Sequence, residues 1–134
     1  MTYTTERFRA KFARKARGRT QPKRDGSMNR TEAAYAQVLE RRRLAGEIAS
    51  WQFQPVKLRL ADRTFYEPDF MVILADGRCQ MHETKAGIAD KQTGAVSPLV
   101  EDDAMVKIKV AAEQHPFEFV MAFCRKGEWH YREI

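Results

Sequence analysis

The chain changes hydrophobic period several times after residue 28, and each change marks a new element. From Asn29 to Ala45 the apolar positions Tyr35, Val38 and Leu39 recur at helical spacing, and Gly46 followed by Ile48 supplies a glycine C-cap with its hydrophobic contact. Trp51 and Phe53, then Val56, Leu58 and Leu60, alternate with Gln52, Gln54, Lys57 and Arg59, which is strand periodicity interrupted at Pro55. Asp62-Arg63 reads as a turn. Two strand-like runs follow, Tyr66 to Leu74 and Arg78 to Lys85, on either side of Ala75-Asp76-Gly77. A loop with Gly87 and Gly94 leads to Ser97-Pro98, which has the form of an N-cap and first-turn proline. The helix expected there carries Val100, Ala104, Ile108 and Ala111 on one face and ends near His115-Pro116. Phe117, Phe119, Met121 and Phe123 alternate in a further strand, and Arg125-Lys126-Gly127 turns into a last one with Trp129 and Tyr131. The expected fold class is α/β or α+β, a mixed β-sheet flanked by helices in the order α-β-β-β-α-β-β.

The loop between the two central runs decides which side chains share a face. With a two-residue turn Asp76-Gly77, Phe70 would oppose Glu83, and Met71 and Ile73 would share a face with Arg78, Gln80 and His82. A three-residue loop, Ala75-Asp76-Gly77 with Gly77 in the left-handed position, sets Leu74 opposite Arg78, Met71 opposite Met81 and Asp69 opposite Glu83. Met71, Ile73, Cys79 and Met81 then form one apolar face, continued by Asp69, Glu83 and Lys85. The second register satisfies burial and chemistry together, and a one-residue slip would flip every side chain. His82 then points to the opposite side, in a structural or exposed role.

Composition adds little except through charge. The 134 residues suffice for one hydrophobic core, and no apolar run approaches the roughly 18 residues of a membrane span. No apolar stretch follows the basic N-terminal run, so no secretory signal is expected, and Cys79 and Cys124 lack any zinc spacing. Both fit small buried thiols of a reducing, cytoplasmic compartment. Residues 1–25 carry Arg7, Arg9, Lys11, Arg14, Lys15, Arg17, Arg19, Lys23 and Arg24 against Glu6 and Asp25, a net of +7. The remainder holds 15 basic and 16 acidic residues, a net of −1. The chain therefore divides into a basic arm and linker over 1–27, with a short helix expected over 5–17, and a near-neutral domain over 28–134. Such an arm suits a phosphate backbone, which it can contact without reading sequence. Lys91 in the loop and Lys107 and Lys109 on the second helix are further phosphate-contact candidates.

Opposed carboxylates repel unless one is protonated or a cation sits between them. Magnesium is commonly held by one or two carboxylates, with waters and phosphate oxygens completing its shell. Asp69 and Glu83 supply such a pair, with the Thr84 carbonyl within reach. Lys85, on the same face, is placed to orient or deprotonate an attacking water or to offset charge on a scissile phosphate. Glu32 has two readings that both stand at this point. It is a third carboxylate projecting from the N-terminal end of the first helix, or the return arm of a capping box with Asn29.

These residues resemble the PD-(D/E)-x-K nuclease superfamily. Pro68-Asp69 matches the first half of its motif and Glu83-Thr84-Lys85 the second. The longer stretches Thr31-Glu32-Ala33, Trp51-x-Phe53-Gln54-Pro55, Tyr66-x-Pro68-Asp69-Phe70 and His82-Glu83-Thr84-Lys85 are similar to small phage-encoded endonucleases and to the catalytic domain of Tn7-type transposon endonucleases. The resemblance spans about residues 28–123. It implies a restriction-endonuclease-like core and Mg²⁺-dependent DNA cleavage, with Mn²⁺ as a substitute ion, and Glu32, Asp69, Glu83 and Lys85 as the active-site positions. It also implies that Gln54 lies near the site. The chain has no room for the second DNA-binding domain of a transposase, which favours the phage branch, where junction-resolving or nicking roles and homodimers occur. The competing expectation is an inactive nucleic-acid-binding or assembly module that keeps the fold.

Overall fold

A computed structural model describes residues 27–134. The basic residues from Arg7 to Arg24, the helix expected over 5–17 and all but the last residue of the linker lie outside the described residues. The elements are α1 (Arg30–Leu44), β1 (Ile48–Phe53), β2 (Leu58–Ala61), β3 (Thr64–Tyr66), β4 (Phe70–Leu74), β5 (Cys79–Ala89), β6 (Val96–Pro98), α2 (Asp102–Gln114), β7 (Glu118–Arg125) and β8 (Glu128–Glu133). Neither helix is long and apolar enough to cross a membrane.

Helix α1 begins and ends on local chemistry. Asn29 Oδ1 accepts from the Glu32 amide at 2.8 Å while the Asn29 amide donates to Glu32 Oε2 at 3.0 Å, so two orphan donors of the first turn are satisfied reciprocally. At the other end Gly46, with a φ of 79°, lets its own amide reach the Arg43 carbonyl and the Glu47 amide the Arg42 carbonyl. Tyr35 and Leu39 are fully buried and Val38 packs beside them, as the helical spacing predicts.

The strands form a mixed sheet in the order β1-β4-β5-β7-β8, with β6 paired to β5. Strands β5 and β7 run parallel, and the other pairs are antiparallel. The β4–β5 register sets Met71 opposite Met81 and Phe70 opposite His82, and continuing it by one residue sets Asp69 across from Glu83. The connecting loop is Ala75-Asp76-Gly77: Leu74 and Gly77 amides donate to Arg78 and Leu74 carbonyls, and Gly77 has a φ of 91°. The bulged three-residue loop is the one the apolar alternation requires.

Both faces of this sheet are covered. On one, Tyr35, Ala36 and Leu39 of α1 pack on Ile48, Phe70, Val72 and Ala122. On the other, Ile108 and Ala111 of α2 pack on Met81, Phe119, Met121 and Phe123, joined by Leu58 and Tyr66. The last two belong to a separate two-stranded sheet, β2–β3, in which Leu58 pairs with Tyr66.

The element order is richer than expected, with six strands between the helices in place of three. At Pro55 the chain leaves the sheet. Gln54 adopts a φ of 46°, in the left-handed region, and the residues beyond it form β2 away from the main sheet. Pro68 divides the run from Tyr66 to Leu74 into β3 and β4 in the same way. Ser97-Pro98 does not start the second helix. Strand β5 continues past Lys85 to Ala89, and its edge takes Val96–Pro98 as β6, with Pro98 at the end of the short edge strand. Helix α2 begins instead after Glu101, without a side-chain cap but with Asp102 and Asp103 in its first turn, where they favour the helix dipole.

Candidate active site

Four of the expected residues come together just beyond the β4–β5 ladder, past its Phe70–His82 pair. Asp69 ends the stretch before β4, 9 % exposed, and its Oδ2 accepts from the Thr84 amide at 2.8 Å and the Thr84 hydroxyl at 2.9 Å. The Thr84 side chain therefore fixes one oxygen of Asp69, a role that its expected carbonyl contribution did not suggest. Glu83 stands opposite Asp69, and Lys85 Nζ lies 3.4 Å from Glu83 Oε1. The charge of Asp69 acts on Glu83, so the two carboxylates share one space.

A fifth residue closes the group. The Tyr66 hydroxyl donates to Glu83 Oε2 at 2.7 Å, so each oxygen of Glu83 has one named neighbour, Tyr66 or Lys85. Burial, followed by the negative charge of Glu83, holds the Tyr66 phenol well above its ordinary pKa, so it stays a donor at any working pH. Sequence reasoning missed this contact. The signal was a tyrosine between a turn and Pro68, since a buried tyrosine needs a partner for its hydroxyl.

Glu83 titrates unlike an ordinary carboxylate. Burial and then the charge of Asp69 push its pKa up to about 7, against the opposing pull of Lys85 and Tyr66. Among the described residues the space brings together two carboxylates and one ammonium, and Glu83 takes up a proton near neutral pH. The donor chemistry fits a hard divalent ion: two carboxylates and no thiol or imidazole. Among the described residues no group of three His, Cys, Asp or Glu side chains forms a metal cluster.

The other candidates lie as follows. The Gln54 amide donates to the Asp69 carbonyl at 2.8 Å, so the strained residue abuts the site through its main chain. Glu32 carries out the capping role, with Oε2 on the Asn29 amide and Oε1 on Asn29 Nδ2 at 2.9 Å. Lys91 is exposed in the β5–β6 turn, and Lys107 and Lys109 are exposed on α2. His82 is buried on the α1 face. Its Nδ1 accepts from the Tyr35 hydroxyl at 2.5 Å, and its Nε2 donates to Gln80 Oε1 at 2.8 Å. Burial, assisted by Arg42, lowers its pKa to about 4, so the ring is neutral. No family model, curated protein or solved structure matches the chain.

Proposed function

We propose that the protein is a metal-dependent endonuclease of the PD-(D/E)-x-K kind, hydrolysing DNA phosphodiester bonds. The observation that carries this reading is the close carboxylate pair of buried Asp69 and largely covered Glu83, with Lys85 Nζ 3.4 Å from Glu83 Oε1. A binding module has no need of two carboxylates forced together, because their repulsion only costs stability. Asp69 and Glu83 would hold Mg²⁺, or Mn²⁺ in its place, with the Thr84 carbonyl beside them. Such an ion would lower the pKa of bound water and polarise the phosphoryl group.

The chain's own groups supply the rest. Lys85 carries the positive charge of the site and is placed to orient the attacking water or to offset charge on the phosphate. Tyr66 and Thr84 keep one oxygen each of Glu83 and Asp69 in fixed directions, which leaves little reorganisation at the moment of reaction. Glu32 could join from α1 only by leaving Asn29, so the proposal rests on Asp69, Glu83 and Lys85. The basic arm and the exposed lysines fit a DNA partner in the cytoplasm.

A cleavage panel tests this reading. Linear duplex, supercoiled plasmid, single strands, RNA and a four-way junction are incubated with Mg²⁺, Mn²⁺ or EDTA. The expected result is DNA cleavage that needs the ion and falls at least about 10³-fold in Asp69→Ala and Lys85→Ala. DNA binding without cleavage of any substrate would favour the inactive-module reading, and equal cleavage by the variants would sink the nuclease one.

A further inference from the structure

We infer that the outer face of the β2–β3 hairpin is a contact surface for an unpaired nucleotide of DNA beside the cut site, with Arg59 and Arg63 on phosphate and Phe65 on the base. The inference rests on the nuclease reading and adds to it the class of DNA taken.

The hairpin has two unlike faces. Its inner pair, Leu58 and Tyr66, is buried in the α2 cluster, and Tyr66 reaches Glu83. Its outer pair is Arg59 and Phe65, directly opposite each other and both exposed, Phe65 to 48 %. The hairpin is anchored as well as packed, since His115 Nε2 at the end of α2 donates to the Arg59 carbonyl at 3.0 Å. A fixed platform therefore presents an arginine and an aromatic ring on the face opposite Tyr66, the next residue in sequence, whose side chain touches the candidate active site.

Charge points to a polyanion. Among the described residues, Arg42 pairs with Glu47, Arg43 with Glu40, and Arg78 with Asp76 and Glu118, while Arg30, Arg41, Arg125 and Arg132 are unpaired. Arg59 is the one arginine that stands across a strand pair from the exposed Phe65 ring. Arg59 and Arg63 make no ion pair among the described residues, and Lys57 approaches Glu67 only to 4.0 Å. Spare guanidinium groups beside a phosphodiester-cleaving site suit phosphate oxygens. Phe65, 48 % exposed, adds a flat apolar face. The faces of paired bases are already stacked within a duplex, so only an unstacked base can lie on it, as in single strands, forks or junctions.

Fluorescence anisotropy in EDTA tests this with a duplex, a fork and a single strand of common sequence, with thermal melts confirming that each variant folds. Arg59→Gln/Arg63→Gln is expected to weaken binding about tenfold to all three DNAs and to reduce the salt slope by about 1.5. Phe65→Ser is expected to weaken fork and single-strand binding about tenfold and duplex binding less than about twofold, with Phe65→Trp restoring wild-type affinity. In Mg²⁺, fork cleavage follows binding. Wild-type cleavage with hairpin variants that bind all DNAs unchanged overturns this inference alone. Equal loss on duplex and fork in Phe65→Ser overturns the base contact. A wild-type protein that neither binds nor cuts DNA overturns it together with the nuclease reading.

Discussion

His82 and Glu83 are consecutive residues of β5, both largely removed from solvent, and they sit in opposite chemical situations. On the α1 face His82 is neutral, and both its ring nitrogens have partners, Tyr35 and Gln80. The chain continues from Gln80 Nε2 to Glu118 Oε2 at 3.1 Å, so the buried group is linked to a solvated carboxylate at the rim. On the α2 face Glu83 also has partners, Tyr66 and Lys85, yet burial and the charge of Asp69 hold its pKa well above the carboxylate range. A buried polar group whose bonds and charge are both balanced holds the fold together. One crowded by a second carboxylate, as Glu83 is by Asp69, is where the proposed cation would sit. The difference separates structure from candidate function across one strand.

The strongest way to break this contrast is pH. His82 has a folded pKa of about 4 against an ordinary 6.5, so its contribution is fully present above 6.5 and is lost as pH falls toward 4. Glu83 has a folded pKa of about 7 against 4.5, so the folded state binds its proton more tightly. Its contribution is present below 4.5 and is lost as pH rises toward 7. Each effect is on the order of 3 kcal/mol, and in wild type they oppose one another between about pH 4.5 and 6.5. Urea denaturation of the metal-free protein should therefore give a Glu83→Gln variant whose stability relative to wild type increases with pH across that window. His82→Gln should show the reverse slope. Slopes of the same sign would erase the distinction between the two faces.

The two tyrosines sharpen it further. Tyr35→Phe leaves His82 Nδ1 buried without a donor and should cost about 1–3 kcal/mol of stability, with cleavage within about twofold of wild type. Tyr66→Phe releases Glu83 Oε2 and should reduce cleavage about tenfold for a smaller loss of stability, because Lys85 and the nearby solvent still serve the carboxylate. Steady-state cleavage rates alongside melts separate the two outcomes.

The hairpin register was legible because one alternation had to bury Met71 and Met81 while leaving Gly77 in a left-handed turn. Asp69 and Glu83 followed from it. What was not legible came from long-range packing. Nothing local says that the residues after Pro55 form a separate sheet, or that this sheet brings Tyr66 over Glu83, because the partner is 17 residues away. Ser97-Pro98 has the local form of a helix start, but the free edge of the extended β5 claimed it as a strand. For Glu32 the local signal held: the capping box that the spacing suggests is the one present.

The smallest effect concerns that residue. Glu32→Gln keeps a capping box and should leave stability within about 0.5 kcal/mol of wild type. Cleavage should fall no more than about threefold, a modest change for a residue engaged with Asn29. A loss as large as that of Asp69→Ala would move Glu32 from the cap to the ion.

We propose that the crowding of the Asp69 and Glu83 carboxylates is relieved by a divalent cation. Carbon-detected NMR titration of the Glu83 carboxyl, with and without Mg²⁺, measures it directly. The expected midpoint is near 7 in the metal-free protein, lowered by at least about one pH unit in saturating Mg²⁺ and likewise by Asp69→Asn. A midpoint near the ordinary 4.5, or one that does not respond to Mg²⁺, would contradict it.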